Sequence, residues 1–197
     1  MAYPGPLHGE PLAVELHNTL YLVRGVLHDG IADQAGAEAW LRSLASELPV
    51  EARAARVSVR DLRDLRAHVR ELLESAALGE PAPAAAVQAL NALTAAAPRA
   101  LVGELDGEGA VRIDEIRPGA TPAATVLAAL AESALELADA TQAPKLQYCG
   151  APGCALLFLR DHPRREWCSS ACGNRARQAR LVARRRSAEQ AAARDRV

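Results

Sequence analysis

The chain has 197 residues, half of them hydrophobic, but only one Phe, two Trp and three Tyr, so its core must be built from Ala, Leu and Val within one ordinary domain plus a small appendage. The net charge of −1 conceals a division: residues 1–144 carry 11 basic and 20 acidic side chains, whereas residues 145–197 carry 12 and 4, so the split and not the average bears on partners. No stretch approaches the roughly 20 apolar residues of a membrane span, and no basic segment followed by an apolar run opens the chain; a soluble, cytoplasmic protein is the expectation.

In chain order, Leu12, Leu16, Leu20 and Val23 recur at helical spacing and predict a helix over about 11–24. Asn18 and Thr19 form a polar pair inside it. Such a pair either lines a small-ligand pocket or bonds to neighbouring backbone. Residues 33–48 predict a second helix, ended by Pro49. The clearest helix runs from Ser58, a capping residue, to Gly79 and Pro81. Its apolar stripe is Leu62, Leu65, Val69, Leu72 and Leu73. Arg63, Arg66 and Arg70 form a second stripe, expected to pair with acidic neighbours. A shorter helix follows over 81–97.

The pattern then alternates. Residues 99–106 and 110–117 flank Asp106-Gly107, which predicts an antiparallel hairpin. Thr121 with Pro122 starts an alanine-rich helix that carries Val126, Leu127, Leu130, Leu135 and Leu137 and is expected to be buried. A short linker over 140–145 leads to the C-terminal unit.

That unit holds every cysteine, spaced Cys149-x4-Cys154-x13-Cys168-x3-Cys172. Two close pairs across a short spacer are the arrangement of a four-thiolate structural zinc site. A reducing cytoplasm argues against two disulfides. Four cysteines also close the coordination shell that a catalytic zinc must leave open. Residues 155–160 read as a strand, a turn and a return strand over 161–167, and Ser169 as the cap of a helix with Cys172 in its first turn. Arg164, Arg165 and Arg175 are placed to offset the charge of −2 on four thiolates around one Zn²⁺. His162 is expected in an exposed turn, not at the metal. The build resembles a treble clef.

The helix from about 170 to 193 carries Arg177, Arg180 and Arg184 on one face, with Arg185 beside them. Leu181 and Val182 are too few to bury it, so its arginines face solvent or an anionic partner. A helix of this width fits the DNA major groove, and arginine grips phosphate or pairs with guanine. A solvated helix and a tail docked onto the acidic body are the other readings.

The C-x4-C pair, the Trp167-Cys168-Ser169 step and the tetrapeptide Cys172-Gly173-Asn174-Arg175 resemble the CGNR zinc-finger family. The Asn18-Thr19 step and the order of arginine-rich helix, hairpin and alanine-rich helix are similar to the ABATE domain that precedes this finger. The resemblance implies Cys149, Cys154, Cys168 and Cys172 as zinc ligands and a stress-induced transcription regulator, with RNA binding as an alternative. Asn174 and Arg175 divide between structural and nucleic-acid roles. Gly173 is expected to let the backbone pass close to the metal.

No phosphate loop, nucleophile elbow or H-E-x-x-H motif appears, so an enzyme with a site between domains is the weaker reading. The fold class expected is mostly α with a small antiparallel β-hairpin (α+β), over 1–141, followed by a treble-clef-like finger and basic helix over 145–197. The function expected is a regulator that binds DNA, more than RNA, through finger and helix. Its N-terminal domain would sense a small ligand or partner, with Asn18 and Thr19 as the candidate contacts, and a protein-interaction module is the rival.

Overall fold

The structure, a computed structural model, describes residues 2–194, without the side chains of 191–193; the predicted unit over 145–197 thus has residues 195–197 outside the described residues. Helix α1 is short, Leu12–His17, and the chain then turns into strands β1 (Leu20–Val23) and β2 (Val26–Asp29). They pair antiparallel, Leu20 opposite Asp29 and Val23 opposite Val26. This corrects the single helix expected over 11–24. Arg24 and Gly25 both take positive φ, 52° and 82°, the two-residue turn that matches the twist of a tight hairpin. Leu20 and Val23 satisfy a helical spacing by coincidence.

Helix α2 (Gln34–Ser43) is capped by Asp33, whose carboxylate accepts from the Gly36 N–H. It stops five residues before the predicted end, and a run of turns leads to Pro49. Helix α3 (Val59–Leu78) has the predicted cap: the Ser58 hydroxyl accepts from the Asp61 N–H, and Gly79, at φ 69°, closes the other end. Leu62, Leu65, Val69, Leu72 and Leu73 are all buried. Each such side chain contributes about 1.5–3 kcal/mol relative to exposure. Helices α4 (Ala84–Ala96) and α5 (Pro122–Ala138) pack on α3, with Thr121 capping α5. Trp40, Leu90, Val126 and Leu130 complete this core.

Strands β3 (Ala100–Leu105) and β4 (Val111–Ile116) form the predicted hairpin. The left-handed residue of its loop is Gly109, at φ 83°, not Gly107, and the Asp106 carboxylate accepts from the N–H groups of Glu108 and Ala110.

In the C-terminal unit, β5 (Leu146–Tyr148) pairs with β6 (Leu157–Leu159). The partner of β6 is thus the segment before Cys149, not the return strand expected over 161–167, which is irregular. The first cysteine pair lies in the loop of this hairpin, so the pairing itself brings Cys149 and Cys154 together. Helix α6 (Ser170–Arg194) follows. Among the described residues the fold is about half helical with three antiparallel strand pairs, and the finger is no separate bead, because Leu146 and Leu157 belong to the core of α1, α3 and α5.

Candidate metal centre

The Sγ atoms of Cys149, Cys154, Cys168 and Cys172 all lie within 4.8 Å of one another. Cys154 and Cys168 are 3.8 Å apart, Cys168 and Cys172 3.4 Å. Thiolates about 2.3 Å from a tetrahedral zinc lie about 3.8 Å apart, so the four sulfurs fit one such ion and none is close enough to another for a disulfide.

Each sulfur is positioned by local structure. Cys149 and Cys154 flank the loop Gly150–Gly153, in which Gly153 takes φ 72° and the Cys154 N–H donates to the Ala151 carbonyl at 3.0 Å. Cys172 lies in the first turn of α6, where its N–H meets the Ser169 hydroxyl, the predicted cap. Beneath the sulfurs, Leu156, Phe158 and Trp167 form a small core of their own with Tyr21 of β1 against it.

Thiols this close do not ionise together. Hydrogen bonding from Cys168 pulls Cys154 down to about 5, while the Cys154 thiolate and burial push Cys168 up; burial raises Cys149 as well. One bare thiolate is tolerated, and a divalent cation is what allows four. Arg175 donates to the Cys172 sulfur at 3.1 Å and so offsets part of the charge, as its position after the last ligand foretold. Arg165 does not join it. It pairs with Glu10 and lies 5.1 Å from the centre of the Phe158 ring. Arg164 and His162 are exposed, and His162 uses Nδ1 to accept from the Arg164 N–H.

Gly173 also makes room for a neighbouring ring. A Cβ there would meet the Trp167 ring at 3.0 Å, so the bare glycine gives the indole its seat on the helix. Arg180 then stacks over that ring, 5.5 Å from its centre. Asn174 accepts from Arg177 at 2.5 Å on the helix surface. In α6 only Cys172, Gly173 and Ala176 are buried among the described side chains; Arg177 through Gln190, with Arg184 and Arg185, are exposed. The helix does not fold back onto the acidic body.

Asn18 and Thr19 are both fully buried and engaged. Asn18 ends α1 rather than sitting within a helix, and its amide donates to the Leu157 carbonyl while its oxygen accepts from the Leu157 N–H. Thr19 donates to the Leu16 carbonyl and accepts from Arg66. Their polar atoms are bonded within the protein, which corrects the placement of a ligand on this pair. Arg66 also makes two hydrogen bonds to Asp29, at 2.6 and 2.8 Å. Arg63 and Arg70 pair with Asp29 and Glu74, as the stripe predicted. His17 is buried between Asn18 and Glu74, and burial holds it below an ordinary imidazole.

Sequence reasoning missed Glu10. Its carboxylate is buried, accepts from the Leu159 N–H at 2.9 Å and pairs with Arg165. Glu10 and Asn18 together cover the outer edge of β6 and dock the finger. No sequence signal marks a carboxylate whose partners lie about 150 residues away.

No helix among the described residues is long and apolar enough to cross a membrane. The sequence matches the ABATE family, described as "Putative stress-induced transcription regulator", over residues 10–140, and the CGNR zinc finger over residues 145–185. None of the curated proteins compared with it matches the sequence. The second match covers all four cysteines, and with their geometry it makes this centre the site of one structural zinc ion. With two thirds of its length matched, the chain belongs to the ABATE family and carries a CGNR zinc finger over residues 145–185.

Proposed function

We propose that the chain is a transcriptional regulator, not an enzyme, and that it binds DNA through α6. The observation that carries this reading is the projection of that helix. Its first turn is tied to the metal through Cys172, and every described side chain from Arg177 to Gln190 faces solvent. The 25 residues span about 37 Å. Arg177, Arg180 and Arg184 share one face, and a helix about 10–12 Å across enters a major groove about 12 Å wide. Zinc supplies rigidity here: it joins the β5–β6 loop to the start of α6 and so sets the direction in which the arginines point. The regulator description of the ABATE family supports the same reading.

Sensing belongs to the N-terminal domain in this scheme. With Asn18 and Thr19 engaged, the place for a ligand is the groove of about 670 Å³ along α3, between Leu20, Arg60, Arg63, Arg70 and Glu74.

A mobility-shift titration of zinc-loaded protein with duplex DNA and with single-stranded RNA tests the proposal. Duplex is expected to bind more tightly, with log affinity falling against log salt by about 0.9 per phosphate neutralised. Absence of binding to DNA at low salt refutes it, and tighter binding to RNA transfers the function to RNA.

A further inference from the structure

The β3–β4 hairpin carries an apolar face that covers nothing among the described residues. Residues opposite each other in an antiparallel pair share a face, and so do alternate residues along a strand. The register sets Leu105 opposite Val111, Gly103 opposite Ile113 and Leu101 opposite Glu115. Leu101, Leu105, Val111 and Ile113 therefore stand together, and they are 68%, 74%, 66% and 58% exposed. Gly103 leaves no gap among them. A Cβ there would lie 3.4 Å from Val111 and 3.7 Å from Ile113, so those two side chains already close over the glycine. The other face, with Ala100, Val102 and Asp114 half-buried, is the one turned toward the body. The apolar face thus points away from it.

From this we infer that the face is a docking surface for a second copy of the chain, two hairpins packing face to face about a two-fold axis. The area fits. The four side chains expose roughly 450 Å² per copy, within the ~300–600 Å² of the largest apolar patch on a monomer, the size at which such patches are often functional. Full burial of both patches removes about 900 Å², just under the ~1,000 Å² that a stable specific interface clears, which is the size of a weak, reversible dimer. The charge pattern fits as well. The one ionic group on this face, Glu115, sits at its end and is paired with Arg99 at 3.5 Å. Antiparallel packing of the two faces keeps the two glutamates at opposite ends, each beside its own Arg99, and sets the two Ile113 rows against each other at the centre. Such an interface closes on itself, leaving no patch for further growth. It also turns a lone two-stranded sheet, which is marginal in water, into a two-layer sandwich. The inference is independent of what α6 binds.

Light scattering and sedimentation of the zinc-loaded full chain over about 1–100 μM test it, the range in which a small, reversible interface is populated. A dimer is expected to form toward the upper end. The double variant Leu105→Lys, Ile113→Lys is expected to stay monomeric throughout, with unchanged circular dichroism and zinc content. A wild-type chain that is monomeric over the whole range overturns the inference, as does a double variant that still dimerises. Should that variant fail to fold, the wild type alone decides: amide exchange across residues 100–116 slows with rising concentration, and exchange that does not change overturns it.

Discussion

The side-chain amide of Asn18 bonds both backbone groups of Leu157, donating to the carbonyl at 2.9 Å and accepting from the N–H at 3.0 Å. It occupies the place of a neighbouring strand on the free edge of β6, and all the atoms involved are buried. Asn18→Ala leaves a donor and an acceptor unpaired, at about 1–3 kcal/mol for each group, and takes an acceptor from His17. We expect a loss of about 2–4 kcal/mol, read as a fall in melting temperature of about 5–15 °C. Asn18→Asp keeps the acceptor for the N–H but sets a carboxylate oxygen against the Leu157 carbonyl, and is expected to rescue little. An alanine variant that melts with the wild type would show that this edge pairing does not hold the finger in place.

Zinc removal tests the other anchor of the finger. The unit over 145–176 has a small core of its own, Leu156, Phe158 and Trp167, too little to stay ordered unaided. One zinc per chain is expected by elemental assay, and chelation is expected to abolish amide protection over 149–176. Helices α3 and α5, buried in a core the metal does not touch, are expected to keep theirs. Cys168→Ser should reproduce the chelated state. Protection that survives full metal loss in the finger would mean that Glu10 and Asn18 suffice to order it.

The parts of this fold that rest on local chemistry were legible in the sequence. Ser58 and Thr121 cap the helices they were expected to cap, the α3 stripe is buried residue for residue, and the four cysteines meet. The parts that rest on distant partners were not. Leu20 and Val23 carry a helical spacing, and the turn that breaks it lies in the left-handed Arg24 and Gly25, a conformation unusual for a residue with a side chain such as Arg24. The finger's strand pairing was misplaced because Leu146–Tyr148 lies outside the cysteine motif. Glu10 and Asn18 read as ordinary polar residues, since their role exists only once β6 is beside them.

The Asp29–Arg66 pair gives the N-terminal domain an acid sensitivity. Arg66 is buried, and Asp29 accepts two of its hydrogen bonds. Burial opposes the charge on Asp29, but Arg66, the Ile31 N–H and Arg63 outweigh it and hold the carboxyl below its ordinary value. A depressed carboxylate contributes stability that is complete above its unfolded pKa, about 3.9, and is lost as pH falls through the lower folded value. Asp29→Asn leaves the buried guanidinium without its counter-charge and is expected to cost on the order of 3 kcal/mol at neutral pH. The gap between variant and wild type should narrow below about pH 4. A gap that stays constant down to the acid transition would show that the pair adds nothing through its charge.

The arginines of the CGNR segment and of α6 separate into two roles that substitution can tell apart. Arg175 faces the Cys172 sulfur, whereas Arg177, Arg180 and Arg184 lie outward on the exposed face. Arg175→Ala removes a charge-assisted hydrogen bond to a zinc ligand. It is expected to weaken metal retention in chelator competition by about 10-fold, the size of effect seen when a metal's outer partners are removed. With zinc in excess, the salt dependence of DNA binding should be nearly unchanged. Replacing Arg177, Arg180 and Arg184 together by Ala should do the reverse: zinc stays bound, while the slope of log affinity against log salt flattens by about 0.9 for each phosphate that is no longer neutralised. Arg180 also stacks on Trp167, so its single substitution is expected to cost a few tenths to about 1 kcal/mol of finger stability besides its share of the slope. The two sets of arginines would have to be regarded as one surface if Arg175→Ala flattened the slope as much as the triple variant does.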